Sequence, residues 1–207
     1  MLAIFKREFK SYFQNVIGWL FVAALLAVYG LYFYVYNLKN GYPYISYDLN
    51  GIGFIMMIAV PILTMRSLSD EKKTKTDQLM LTSPVSVGKI VAGKYFAMAA
   101  VYTIDIALFA LSPLVLSIYG KVALSEAYVA LFGYWLYGLS CIAVGLFISS
   151  ISESVIISAI LTFAALFLSY MMQSITGLIS SSGNLLTKVL NCFDLYTPFE
   201  NFVSGCF

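Results

Sequence analysis

From Val16 to Tyr36 the chain carries no charged residue, and this run constrains the fold more than any other feature. Roughly 20 apolar residues in an α-helix cross a hydrocarbon core about 30 Å thick. Composition agrees. Hydrophobic residues make up 61% of the 207 and charged residues 11%, against roughly 25% charged in a soluble domain. So few charges cannot cover a water-facing surface, and lipid contact must replace them. The chain is expected to be an all-α, polytopic integral membrane protein forming a single membrane domain over 1–207.

Residues 1–15 open with an amphipathic pattern. Leu2, Phe5, Phe9, Tyr12 and Phe13 fall on one side of a helix and Lys6, Arg7, Lys10 and Ser11 on the other, which suits a helix lying on an anionic leaflet. The alternative is an extension of the next helix into water. Four further apolar segments follow Val16–Tyr36: Gly51–Met65, Tyr95–Tyr119, Ala127–Ile148 and Val155–Met172. The second is short, contains Pro61 and needs Arg66 to snorkel. Tyr29, Tyr32, Tyr34 and Tyr36 crowd one end of the first, as an aromatic belt does at a membrane interface.

Lys and Arg set the orientation. Lys6, Arg7 and Lys10, with Arg66, Lys72, Lys73, Lys75, Lys89 and Lys94, account for nine of the twelve. The positive-inside rule therefore places the amino terminus and the 66–94 stretch in the cytoplasm. The turn 149–154 has no basic residue and bears on neither side.

The 66–94 stretch is long, mixed in sign and rich in helix formers up to Ser83-Pro84, where a helix seldom continues. It predicts a helix over 67–81 lying along the membrane, with Asp70, Glu71, Lys72, Lys75 and Gln78 facing the cytosol and Leu68, Leu79, Met80 and Leu81 facing lipid or protein. A charge run of this kind is usually a solvated loop; its length and mixed charge suit a docking surface instead. The candidate coupling residues are Asp70, Glu71, Lys72, Lys75, Gln78 and Leu79.

Here Glu71, Lys72, Lys73, Thr74 and Thr76 are followed by Leu79, Leu81, Ser83, Pro84 and Ser86, and then by Ile90, Val91, Gly93 and Lys94. This pattern resembles the cytoplasmic coupling region of the type-2 family of ABC transporter permeases, as the opening FKREFKSYF resembles the family's start. Lys75 stands where that family often has glycine, and Gln78 where it often has glutamate. The resemblance implies a membrane-spanning subunit coupled to a separate ABC ATPase, two permease subunits per transporter (homo- or heterodimer), and six crossings with re-entrant extracellular helices before the sixth. Five crossings precede Phe207, so 173–207 is expected to be the re-entrant region and the sequence a fragment; a five-crossing protein is the alternative.

No phosphate-binding loop is present. Gly88-Lys89, Gly93-Lys94 and Gly120-Lys121 lack its upstream glycine and following Ser or Thr. The chain is expected to be no enzyme and to need no cofactor, with ATP hydrolysis in a partner. There is no histidine and no Cys-x-x-Cys pair, which argues against metal or redox chemistry, and a net charge of +2 is too small to suggest nucleic acid as a partner; membrane lipid is the expected surrounding. Asp105 lies well inside a span, where a carboxylate costs about 2.5–3.5 kcal/mol and must face protein or water. It either lines a pathway or is a packing acid that shares hydrogen bonds with Tyr102. Gly138, Cys141 and Gly145 share one helix face and point to close packing inside the protein, the alternative being a subunit interface. Cys192 and Cys206 could pair or remain free thiols. The reading is a transporter permease; the alternative is a membrane scaffold with no transport of its own.

Overall fold

The computed structural model describes residues 2–75, 86–119, 122–179 and 194–204. Their secondary structure is helical: α1 Leu2–Gln14, α2 Val16–Phe33, α3 Ser46–Thr64, α4 Ser69–Lys73, α5 Val87–Phe109, α6 Ser112–Tyr119, α7 Leu124–Ile151, α8 Val155–Ile179 and α9 Tyr196–Ser204. A π-helical turn, Tyr34–Lys39, prolongs α2. Five helical stretches are long and apolar enough to cross a membrane, so the chain is a multi-pass membrane protein.

α3 and α7 pack together at the centre, with α2, α5 and α8 around them and α9 laid against α7, α3 and α8. Lipid is as apolar as leucine, so close van der Waals packing rather than water expulsion holds such helices together. The core shows how. Leu49, Ile52, Met56 and Val60 of α3 are fully buried together with Met98, Tyr102 and Phe109 of α5 and Tyr134 and Ile142 of α7. On α7, a Cβ at Gly138 would overlap the Tyr102 ring, and one at Gly145 would overlap the Thr64 side chain. The small face anticipated at Gly138, Cys141 and Gly145 thus serves internal packing, with Cys141 a buried free thiol. Cys192 and Cys206 lie outside the described residues.

Several spans differ from their sequence-predicted bounds: α5 begins at Val87 rather than Tyr95, and α8 continues past Met172 to Ile179, into the stretch expected to be re-entrant, of which 180–193 lie outside the described residues. Two differences change what the bundle contains. α3 begins at Ser46 rather than Gly51 and takes Asp48 into the bundle. Asn37 Nδ2 donates a hydrogen bond to Asp48 Oδ2, and that pairing with the π-helical turn lets an acid enter an apolar helix. The third span is two helices, broken at Ala110–Leu111. Pro113 has no N–H to give the Phe109 carbonyl; Ser112 Oγ supplies the donor instead at 2.7 Å. With its proton so used, Ser112 accepts from the Tyr29 hydroxyl of α2.

Candidate functional site

At one end of the bundle α1, α4 and the first turns of α5 meet around Lys94. α1 reaches this position through a tight corner. Asn15 is extended, Trp19 Nε1 donates to the Phe13 carbonyl at 2.9 Å, and Gly18 lies so close beneath Tyr12 that a Cβ would overlap the Tyr12 carbonyl oxygen. The corner turns the apolar side of α1 inward, where Phe9, Tyr12 and Phe13 pack on the core, and leaves Lys6, Arg7 and Lys10 exposed. α1 is therefore a separate helix applied to the bundle, as its amphipathic pattern predicts, and not a continuation of α2.

Lys94 is only 2% exposed, and its ammonium is both hydrogen-bonded and ion-paired. Nζ lies 2.7 Å from Glu71 Oε1 of α4, 3.4 Å from Glu8 Oε1 of α1 and 2.8 Å from the Ser67 carbonyl. Arg7 completes the cluster, 2.7 Å from Glu8 and 3.8 Å from Glu71. Burying an ammonium alone costs several kcal/mol; two carboxylates and a carbonyl make this position tenable and tie three chain segments to one atom. Burial, reinforced by the charge on Glu8, pushes the Tyr12 phenol above its ordinary range. Tyr12 therefore stays neutral, its hydroxyl 3.5 Å from the Leu63 carbonyl.

A second set of contacts holds α4 from the other side. Ser149 Oγ at the end of α7 accepts the backbone N–H groups of Leu68 and Ser69 at 3.1 and 3.2 Å. Lys72 Nζ donates to the Ser150 carbonyl. The turn 149–154, which has no basic residue, is thus at the same end as α1 and α4. Between α1 and α4 opens a cleft of about 470 Å³, its charged lining made of Arg7, Arg66 and Lys94 against Glu8, Asp70 and Glu71.

The predicted coupling residues divide accordingly. Asp70 and Lys75 are exposed, as is Lys73. Glu71 and Lys72, expected to face the cytosol, instead turn inward to Lys94 and Ser150, because a buried ammonium and the carbonyls ending α7 offer stronger partners than water. The described helix here is α4 alone, Ser69–Lys73; Gln78 and Leu79 lie outside the described residues. Lys75 has φ 58, a left-handed conformation that favours glycine. Sequence reasoning missed Arg7, Lys94, Ser149 and Ser150 as partners of α4, and Glu8 as a partner of Lys94. The only signal was the place of Glu8 and Lys94 in the family-like pattern.

Asp105 is fully buried in α5, and neither carboxyl oxygen has a hydrogen-bond partner among the described residues. The expected sharing with Tyr102 does not occur, since the Tyr102 hydroxyl donates to the Tyr134 carbonyl at 2.7 Å. Among the described residues no group of three or more His, Cys, Asp or Glu is placed to hold a metal ion.

The sequence model of a family described as ABC-2 family transporter protein matches residues 32–204. No curated protein and no solved structure matches the chain.

Proposed function

The chain belongs to the ABC-2 transporter family, and we propose that it is the membrane-spanning permease subunit of an ABC transporter, worked by a separate ATPase that docks at α4. The observation that carries this reading is Lys94, which joins α1, α4 and α5 through Glu8 and Glu71. With α4 also latched to the end of α7 by Ser149, a push on α4 reaches three membrane-contacting helices at once. A flexible solvated loop would dissipate it.

On this reading the end carrying α1 and α4 is cytoplasmic, the ATPase meets the exposed side chains Asp70, Lys73 and Lys75 together with 76–85, and a second permease subunit completes the pathway. Asp105, a buried acid near the end of α5 with no hydrogen-bond partner among the described residues, is the candidate pathway group.

The test is charge reversal at the exposed positions, Asp70→Lys with Lys73→Glu and Lys75→Glu, in the chain co-expressed with the ATPase of its transporter. Rim charges set partner choice and association rate more than folding. Co-purification of the ATPase should fall at least tenfold while insertion and unfolding stay unchanged. Reversal at Glu126 and Glu200, exposed or half-buried beside another cleft, should leave association intact. If the ATPase still co-purifies with the first variant in normal amount, docking at α4 is wrong and the scaffold reading takes its place.

A further inference from the structure

On the outer side of α5, away from the ion cluster, an apolar groove of about 530 Å³ runs between α5 and α7. Tyr95, Phe96, Ala100 and Thr103 line it from α5, Trp135 lines it from α7, and Phe5 joins it where α1 crosses α5. The hollow exists because the α5 side chains between the aromatic residues are small. Its polar groups satisfy each other, Trp135 Nε1 donating to Thr103 Oγ1 at 3.0 Å, so nothing in the groove calls for a peptide backbone.

Its dimensions select one kind of occupant. From Tyr95 to Ala107 the groove follows α5 for about 18 Å at 1.5 Å per residue, close to the roughly 15 Å of one leaflet. A single extended hydrocarbon chain fits.

Charge at one end narrows the choice further. Lys89, Phe96 and Thr103 are all exposed and recur every seven residues, which keeps them nearly in line on the helix. Lys89 therefore stands below the mouth of the groove, about 10 Å along the axis from Phe96. Lys6, next to Phe5, is exposed at the same end. Neither lysine has an ion-pair partner among the described residues, and the nearby acids Glu8 and Glu71 are occupied by Lys94 and Arg7.

We propose that the groove binds an anionic phospholipid, with one acyl chain lying along α5 past Phe96 and Thr103 and the phosphate held by Lys89 and Lys6. The site lies on the opposite side of α5 from the Lys94 cluster and does not depend on ATPase docking. A lipid seated there would brace α1 against α5.

Trp135 is a built-in reporter. In the full chain carrying Trp19→Phe it is the single tryptophan left of two. The chain is reconstituted in phosphatidylcholine vesicles containing increasing mole fractions of brominated phosphatidylglycerol or brominated phosphatidylcholine, and Trp135 quenching is followed. Half-quenching should need about fivefold less of the anionic lipid, the worth of one basic residue near a charged headgroup. Lys89→Gln with Lys6→Gln should move the anionic curve onto the zwitterionic one, and Ala100→Leu, which fills the groove, should abolish the preference with both lysines in place. Coincident curves for the two lipids in the parent chain overturn the proposal. So does a preference that survives removal of the lysines, and so does a Trp135 that neither lipid quenches, which would mean that protein, such as a second copy, covers the groove.

Discussion

Replacing Lys94 by methionine keeps most of the apolar stem and removes the ammonium that α1, α4 and α5 share. Breaking a fully buried ion pair by deleting one partner costs about 3–5 kcal/mol. The loss here is smaller, because the Glu8 and Glu71 side chains keep 14% and 19% of their exposure and Arg7 still reaches both. The Ser67 carbonyl also loses its donor, at about 1 kcal/mol. Together these give about 3 kcal/mol of destabilisation for Lys94→Met. Glu71→Gln leaves Lys94 with Glu8 and the Ser67 carbonyl and should cost about 1–2 kcal/mol. If the 2.7 Å contact between Glu71 and Lys94 is the main interaction of each, the double variant must lose less than the sum, by about 1.5 kcal/mol. The assay is reversible unfolding of the four proteins in mixed micelles with added dodecyl sulfate, monitored by helix content. A coupling energy below about 0.5 kcal/mol would show that Lys94 and Glu71 act independently. It would remove the mechanical link between α4 and the bundle on which the coupling proposal stands.

Two further outcomes follow from the same structure. Asp105→Asn preserves shape while removing a carboxyl group that has no hydrogen-bond partner among the described residues, so unfolding in micelles should shift by no more than about 1 kcal/mol; a loss above 2 kcal/mol would mean that the carboxylate has a structural partner, whereas an unchanged stability with ATP hydrolysis uncoupled from transport fits a pathway acid. In a cysteine-free background, single cysteines at the exposed positions Tyr44 and Ser125 should label from outside intact cells and one at Lys73 only after permeabilisation, and labelling of position 73 in intact cells would invert the orientation. Position 45, though in the same loop, is no use as a reporter because Ile45 is 1% exposed.

The spans were legible in the sequence because a membrane reads composition locally. A run such as Val16–Tyr36 must be helical and must cross, whatever its neighbours are, since lipid offers no other partner to its backbone. The same local logic favoured a separate α1, by its two faces, over an extension of α2, but it read the third span as one continuous segment, and the break before α6 at Pro113 was not anticipated. The start of α3 was not legible. Asp48 looked like the end of a polar loop, and only the approach of Asn37, eleven residues earlier, makes it acceptable inside the bundle.

At the candidate coupling site the division is sharper. Sequence alone determined that 66–75 is polar, carries both signs of charge and lies between two spans. Which of those charges faces outward was decided by tertiary structure. Glu71 and Lys72 are neighbours of Lys73 and Asp70 in the chain and chemically no less suited to water. They turn inward because Lys94, twenty-three positions from Glu71, and Ser150, seventy-eight from Lys72, are brought beside them by the packing of α5 and α7. Lys94 itself looks like one more positive-inside lysine until α1 folds back through Gly18 and covers it. The energy of a buried charge depends on what surrounds it in three dimensions, and no local pattern in the chain encodes those neighbours.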